Sequence, residues 1–194
     1  MMAAWRREAP AMAAARLQSL PEIEAAIWRE LGLAVRQKKH AWRLAVLATV
    51  DGDAADARSV VLRDLEAASR TLLIYTDARS PKAHQLAACR QGMLVLWSET
   101  LGWQLRLRVA LTLETAGLRV SSRWAQLKLT PAAHDYLSPL PPGSPLDAPE
   151  PQRESREHFA VLAAQVQAVD WLELHAKGHR RARFDATGAA WITP

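Results

Sequence analysis

The chain has 194 residues, of which 49% are hydrophobic and 23% charged, a balance typical of one globular domain and unlike that of a disordered chain. The single cysteine, Cys89, excludes a disulfide framework or a cysteine-built zinc site within one chain. No apolar run is long enough to span a bilayer, and none follows the basic N-terminus as in a secretory signal, so we expect a cytoplasmic location.

The net charge is +5, and arginine supplies 20 of the 25 basic residues. Two interpretations of this excess remain open. Arginine-biased codon usage would produce it, and so would binding of an anionic ligand, because the guanidinium group matches phosphate geometry. The basic residues are dispersed and form no recognised nucleic-acid motif, so we expect neither a nucleic acid nor a membrane as partner.

In the first third of the chain, the sequence pattern predicts a loose arm, one helix and three strands. Residues 1–19 are rich in alanine and arginine and form the arm. From Pro21 onward, apolar residues recur at four-residue spacing, which predicts a helix: Ile23, Ile27, Leu31 and Val35. Short apolar runs then predict strands at 42–50, 57–65 and 70–76, the first two joined by a turn at Asp51-Gly52-Asp53.

The middle of the chain predicts a helix followed by two strands. Ser80 and Pro81 are typical of an N-cap and a first helical position, and the helix is expected to run to about Arg90. A strand is expected at 93–97. Residues 103–114 alternate strictly between apolar and mostly polar side chains, which predicts a long strand with one buried face.

The last third predicts one or two short helices over 121–136 and a proline-rich loop at 139–151. Another helix is predicted over 159–166, and strands at 169–175, 179–184 and 190–192. Most connections are too short for parallel crossovers, so we expect a mainly antiparallel sheet of six or seven strands. The fold class is therefore mainly β (α+β), a small barrel with flanking helices, in which residues 1–194 form a single domain.

Two groups of residues are candidates for anion binding. Arg58 and Arg63 lie five residues apart on one predicted strand, where they either contact the two ends of a long ligand or are simply solvated. Arg79, Ser80 and Lys82 surround a predicted helix start, whose free N–H groups attract phosphate. The alternative is an ordinary capped helix with solvated basic side chains.

Further candidates lie toward the C-terminus. Gln104, Arg106 and Arg108 share one strand face, which is either solvated or a dimer contact. The pair His175 and His179 has helical metal-site spacing, but a glycine and turn-like flanks argue against a metal there. A basic cluster that could bind phosphate or nucleic acid, or have no ligand, follows: His179, Arg180, Arg181 and Arg183.

Taken in order, these motifs resemble the pyridoxamine 5'-phosphate oxidase family, the flavin-binding split barrels. The resemblance covers residues from about Trp42 to the C-terminus. It is carried by Arg58-Ser-Val-Val-Leu-Arg63, Tyr75-Thr76, Ser80-Pro81-Lys82, Gln104, and Trp171 with the segment Gly178-His-Arg-Arg-Ala-Arg-Phe184.

This resemblance implies a homodimer with FMN at the subunit interface and a small-molecule substrate. By the family pattern, one set of residues lies along the flavin and its phosphate: Arg58, Ser59, Val60, Val61, Leu62, Arg63, Tyr75 and Thr76. Ser80 and Lys82 would reach the phosphate. Gln104, Trp171 and Arg183 would contact the flavin, some of them from the partner chain.

The chain also departs from the family pattern. Pro81 stands where oxidases commonly have arginine, and residues 121–140 lack the S-R-P segment that holds a substrate phosphate. Arg180 and Arg181 stay as substrate-binding candidates, although the histidine of the family's R-x-H motif is missing. We therefore expect an FMN-binding flavoprotein, an oxidoreductase of unknown substrate. The alternatives are an authentic pyridoxamine 5'-phosphate oxidase and a non-enzymatic flavin-binding protein.

Overall fold

The computed structural model describes residues 16–146 and 156–194, and over these residues the chain forms eight β-strands and three α-helices. The strands are β1 (Leu44–Asp51), β2 (Ala54–Glu66), β3 (Thr71–Asp77), β4 (Gln91–Ser98), β5 (Trp103–Glu114), β6 (Phe159–Glu173), β7 (Arg180–Asp185) and β8 (Gly188–Ile192). The helices are α1 (Leu20–Arg36), α2 (Pro81–Gln85) and α3 (Leu118–Leu127), with 3-10 turns at Ala41–Arg43 and Pro131–Tyr136.

The strands follow the order β3-β2-β1-β4-β5-β6-β7-β8, and every pairing between them is antiparallel. A further pairing of β3 with β6 closes six of the strands into a ring. The mainly antiparallel architecture with flanking helices is confirmed, with eight strands in the described residues rather than six or seven. Within those residues, no helix is long and apolar enough to cross a membrane.

Helix α1 confirms the predicted helix from Pro21. Ser19 and Glu22 cap each other at its start, which satisfies backbone N–H groups that the first turn leaves free. Ile23, Ile27 and Leu31 are buried, and the helix packs on β2. Residues 16–18, from the predicted arm, lead into this helix, while residues 1–15 lie outside the described residues.

The predicted helix over 159–166 is wrong, because these residues form the first part of strand β6. This part of β6 pairs with β3 on one edge and with β5 on the other. Phe159 to Ala164 are all buried, so apolar residues occupy both faces and no polar alternation marks the strand. The apolar residues of such a run also fall at helical spacing, and periodicity alone does not separate the two structures.

Helix α2 is shorter than predicted, since it ends at Gln85 and not near Arg90. Leu86 is buried in the core, and turns at residues 86–88 bring the chain to the start of β4. The proline-rich loop has no helix or strand over residues 139–146, and its remainder up to residue 151 overlaps the part outside the described residues.

Strands β2 and β3 diverge to form a fork. Their pairing runs from Glu66 opposite Thr71 to Leu62 opposite Ile74, with a bulge between Leu62 and Asp64. Beyond Ile74, β3 continues alongside β6, whereas residues 54–61 of β2 pair with β1 alone among the described strands. One backbone edge of β2 is therefore left without a strand partner where the fork opens.

Candidate functional site

The fork brings together candidates from two strands and helix α2. Arg58 lies on the same face of β2 as the buried Val60 and Leu62, and Thr76 lies on the same face of β3 as Ile74. Ser80 and Lys82 follow directly at the start of α2. The sequence-predicted Arg58, Thr76, Ser80 and Lys82 thus meet at one end of the ring.

Lys82 is a cation of this site that has no acidic partner among the described residues. Its Nζ donates to the Thr76 hydroxyl at 3.0 Å, and the Thr76 and Ser80 hydroxyls lie 3.2 Å apart. Ser80 is fully buried, and Lys82 forms no ion pair with any residue in the described ranges. Burial and the neighbouring charge of Arg58 lower the pKa of Lys82. An ammonium group and two hydroxyls in this arrangement form a suitable site for an anion.

The start of helix α2 contributes less to anion binding than the sequence predicts. Helix α2 has five residues, and the side chain of its N-cap Ser80 makes no capping hydrogen bond. A helix this short provides little dipole, so the capacity for an anion rests on side chains.

Arg58 is held by a polar network that the sequence motifs do not reveal. Its guanidinium donates to the Thr49 hydroxyl, the Asp56 carboxylate and the Gln85 amide oxygen, the last at 3.2 Å. Gln85 donates in turn to Asp56 at 2.8 Å and accepts from Thr49 at 2.6 Å. The charge of Arg58 is therefore shared with Asp56, and its orientation is fixed. A groove of about 330 Å³ between α2 and the β1–β2 turn borders this network at Gln85.

Arg63 and Tyr75 lie on the outer side of the fork, under the 3-10 turn at Pro131–Tyr136. Arg63 sits at the bulge of β2 and donates to the Tyr136 hydroxyl at 3.2 Å. Its guanidinium carbon lies 5.7 Å from the centre of the Tyr75 ring. Burial raises the pKa of both tyrosines, so both keep their hydroxyl protons at neutral pH. Tyr136 was missed because it comes from a segment 73 residues away in sequence from Arg63.

Ser59 and Val61 point to the outer face of β2, where Ser59 is exposed and Val61 half-buried. Val60 and Leu62 point inward and are buried in the core. Any ligand contact with these two residues is therefore with their backbone, because their side chains belong to the packed interior.

The structure does not bring Gln104, Trp171 and Arg183 to the fork within one chain. Gln104 is half-buried on β5, opposite Leu172 of β6. Trp171 is fully buried, and its ring packs edge-on against Trp103 at 5.3 Å. Arg183 pairs with Asp185 at 3.0 Å. Their contact with a flavin stays a prediction.

Arg180 and Arg181 each have an acidic partner on β6. Arg180 donates to the buried Glu173 at 2.9 and 3.0 Å, and Arg181 donates to Asp170 at 2.9 and 2.6 Å. Substrate binding by either arginine would have to compete with these ion pairs. No group of histidine, cysteine or acidic side chains in the described residues is arranged to hold a metal ion.

In architecture the chain is a split barrel of the kind found in FMN-binding proteins. It is similar to a pyridoxamine 5'-phosphate oxidase-related, FMN-binding protein from Nostoc punctiforme PCC 73102, with 24% identity, a TM-score of 0.70 and coverage of 91% of this chain and 100% of that chain. It is also similar to PhzG from Burkholderia lata 383, solved in complex with tetrahydrophenazine-1-carboxylic acid, with 14% identity, a TM-score of 0.68 and coverage of 91% and 94%.

Part of the sequence also matches a family model. Residues 25–114 match the family model of the pyridoxamine 5'-phosphate oxidase, FMN-binding domain. The match over these residues supports FMN as the cofactor. No curated protein sequence matches the chain.

Proposed function

We propose that the protein is an FMN-dependent oxidoreductase that acts on a small molecule, and that the fork holds the FMN phosphate. The observation that carries this proposal is Lys82, a partly buried ammonium group that contacts the Thr76 hydroxyl and has no acidic partner among the described residues. Burying a cation without a counter-charge is costly unless a ligand supplies the charge. A phosphate dianion supplies it.

The residues at the fork fit FMN in their chemistry. Lys82, Ser80 and Thr76 would bind the phosphate, with Arg58 as a second cation nearby. The backbone edge of β2 at residues 58–61, which has no partner on its β3 side, offers N–H and C=O groups to the polar rim of a flavin ring. Arg63 and Tyr75 would contact the ligand from the outer side of the fork. Bound FMN supplies the electron-transfer chemistry, and the chain binds and orients it.

We propose that the protein is a homodimer. The outer faces of β1 and β4 form an apolar surface, with Leu44, Val46 and Trp97 exposed by 58%, 42% and 45%. Val46 lies opposite Val95 of β4, so these residues are contiguous across the two strands. A contiguous apolar surface of this kind is typical of an interface. Gln104 and Arg183 would then contact the flavin from the partner chain, whereas the fully buried Trp171 would contact a flavin only through its backbone. The proposal takes residues 1–194 as a single domain and the cytoplasm as location.

The cofactor is tested on the purified protein. We expect it to be yellow, or to become yellow with added FMN, and to release FMN and no other flavin on denaturation, as identified by chromatography and mass. A colourless protein that shows no saturable change in flavin fluorescence when titrated with FMN would contradict the proposal.

The oxidoreductase activity is tested by stopped-flow reduction of the bound flavin. A small chemical reductant should bleach it, and pyridoxamine 5'-phosphate should bleach it slowly or not at all. The reason is that Arg180 and Arg181, the expected anchors for a second phosphate, are paired with Glu173 and Asp170. Rapid saturable bleaching by pyridoxamine 5'-phosphate would instead favour an authentic pyridoxamine 5'-phosphate oxidase. Failure of a broad set of biological reductants and oxidants to turn over the flavin would favour a non-enzymatic flavin-binding protein.

A further inference from the structure

Arg79 lies three residues before Lys82, yet its guanidinium points to other groups. The side chain donates to Asp77 through Nε at 3.1 Å and through a terminal nitrogen at 2.7 Å. The Arg79 backbone N–H also donates to the Asp77 carboxylate at 2.7 Å. Asp77 is 9% exposed, so this is a largely buried bidentate ion pair.

The same guanidinium also binds the beginning of the proline-rich loop. Its terminal nitrogens donate to the carbonyl oxygens of Ser138 at 2.9 Å, Pro139 at 2.8 Å and Leu140 at 3.3 Å. All three nitrogens of the Arg79 side chain therefore have partners. This corrects the expectation that Arg79 itself forms part of the phosphate cradle, because a phosphate would have to displace these bonds.

Asp77 is an acid placed close to the proposed phosphate site. It directly follows Thr76, whose hydroxyl accepts the Lys82 hydrogen bond, and its charge acts on Lys82. Burial acts to raise the pKa of Asp77, but the hydrogen bonds from Arg79 outweigh it and keep the carboxyl ionised. Without Arg79, Asp77 would lose its cationic partner, and attraction to Lys82, on which its charge already acts, would favour the ionised carboxyl that competes with a phosphate.

We propose that Arg79 is a positioning residue that keeps Asp77 away from Lys82 and so leaves Lys82 free for the phosphate of the flavin. By binding residues 138–140 at the same time, Arg79 fixes the segment that follows Tyr136 against the end of β3. This inference rests on the proposed function, since it assumes that the anion at Lys82 is the FMN phosphate.

The inference is tested by titrating FMN and riboflavin into the wild type and four variants: Arg79→Ala, Arg79→Lys, Asp77→Asn and the double variant Arg79→Ala/Asp77→Asn. A competing charge worth about 1.4 kcal/mol changes an affinity tenfold. We therefore expect Arg79→Ala to weaken FMN binding about tenfold and riboflavin binding little. Asp77→Asn in the Arg79→Ala background should restore most of the FMN affinity, a rescue that a purely structural role of Arg79 would not give.

Arg79→Lys distinguishes the role of the ion pair with Asp77 from the role of the hydrogen bonds to residues 138–140. A lysine retains the charge beside Asp77 but has no planar fork to bind three successive carbonyls. We expect it to keep near wild-type FMN affinity while limited proteolysis within residues 138–146 becomes faster. Because it retains the ion pair, it also provides the comparison if Arg79→Ala does not fold. Arg29→Ala, which alters an exposed arginine on α1, is the matched control and should leave both affinities unchanged.

The outcomes distinguish the inference from the proposed function. If the wild type binds FMN and Arg79→Ala binds it equally well, the role of Arg79 is wrong and the FMN site stands. If Arg79→Ala weakens FMN and riboflavin equally, or if Asp77→Asn gives no rescue, the charge argument is wrong. If the wild type shows no saturable FMN binding, the proposed function fails and this inference fails with it.

Discussion

Lys82 Nζ lies 3.0 Å from the Thr76 hydroxyl, and within the described residues no carboxylate pairs with it. Most other cations close to the fork have a strong partner. Arg58 is paired with Asp56, and Arg79 with Asp77. The acids near the fork thus pair with arginines, and the ammonium group of Lys82, beside the Thr76 and Ser80 hydroxyls, stays available to an anionic ligand.

The first prediction concerns this ammonium group. Lys82→Ala should weaken FMN binding roughly ten- to hundredfold, since a charge-assisted hydrogen bond to an anion is worth about 1.5–3 kcal/mol. Riboflavin lacks the phosphate, so its affinity should change far less. Quenching of flavin fluorescence measures both dissociation constants. The control is Lys38→Ala, which removes an exposed lysine after α1. Equal losses for FMN and riboflavin would show that Lys82 does not contact the phosphate.

The second prediction is a pH dependence of FMN binding. Burial, followed by the charge of Arg58, lowers the pKa of Lys82, so its charge is lost at a lower pH than for an exposed lysine. A bound phosphate favours the charged form, and FMN affinity should therefore fall as pH rises through this lowered pKa. At lower pH Lys82 is fully charged and the affinity is flat down to about pH 6, where the phosphate dianion itself begins to take up a proton.

This pH dependence is measured as the ratio of FMN to riboflavin affinity, because titration of the ring affects both flavins equally. In Lys82→Ala, the ratio of FMN to riboflavin affinity should no longer fall as the pH rises. In Lys82→Arg this fall should move beyond the accessible range, since arginine stays charged. A fall that persists unchanged in Lys82→Ala belongs to another group and refutes the assignment.

The third prediction concerns the apolar surface on β1 and β4. Val46→Glu places a charge at the centre of this surface and should convert a dimer of twice 21.5 kDa into a monomer with weakened FMN binding. Light scattering at micromolar concentration gives the mass. Leu129→Glu, at a residue that is 82% exposed elsewhere on the chain, should leave the mass and FMN affinity unchanged. A wild type that is monomeric with FMN bound would contradict the shared site.

The fourth prediction concerns the stability of the C-terminal strands. Glu173 is buried and accepts hydrogen bonds from Arg16 at 2.6 Å and from Arg180. Removing one partner of a buried ion pair typically costs about 3–5 kcal/mol. Because both arginines are partly exposed, we expect Glu173→Ala to cost about 3 kcal/mol, the low end of that range. Urea unfolding measures this. Arg29→Ala, in an exposed pair with Glu30, should change stability by less than about 0.5 kcal/mol.

The free energy of unfolding should also fall at acid pH, because Glu173 becomes protonated there. Burial acts to raise the pKa of Glu173, but the hydrogen bonds from Arg180 and Arg16 outweigh it, so the pKa is lower in the folded state. This contribution is present above the usual titration range of a glutamate and is lost as pH falls through the lowered pKa. Glu173→Gln should remove this contribution, so the free energy of unfolding of the variant should fall less steeply as the pH is lowered.

Elements with strong local signals could be predicted from the sequence. Strict alternation located β5, and proline with four-residue apolar spacing located α1. The first part of β6 could not be located, because pairing on both edges buries both faces and removes the alternation that marks a strand. Only the sheet topology, which is not local in sequence, decides that this apolar run is extended.

Only those parts of the candidate site that lie close together in sequence could be predicted. Lys82, Ser80 and Thr76 lie within seven residues of one another, and the motifs that contain them point to one anion site. The bulge at Arg63 and the contact of Arg79 with residues 138–140 depend on segments distant in sequence. Trp171 is a predicted flavin contact, and the structure packs its ring against Trp103 inside the chain. Burial of one aromatic among several depends on the three-dimensional packing of the strands.

The site proposed for the phosphate of FMN is Lys82. The ³¹P resonance of FMN tests this placement directly. It is recorded once with wild-type protein and once with Lys82→Ala protein, each in slight molar excess and at a concentration at which all of the FMN is bound. We predict a bound resonance that is shifted and broadened relative to free FMN in the wild type and that moves toward the free position in Lys82→Ala. A bound resonance identical in the two proteins, with the flavin ring still bound in both, would show that the phosphate lies away from Lys82.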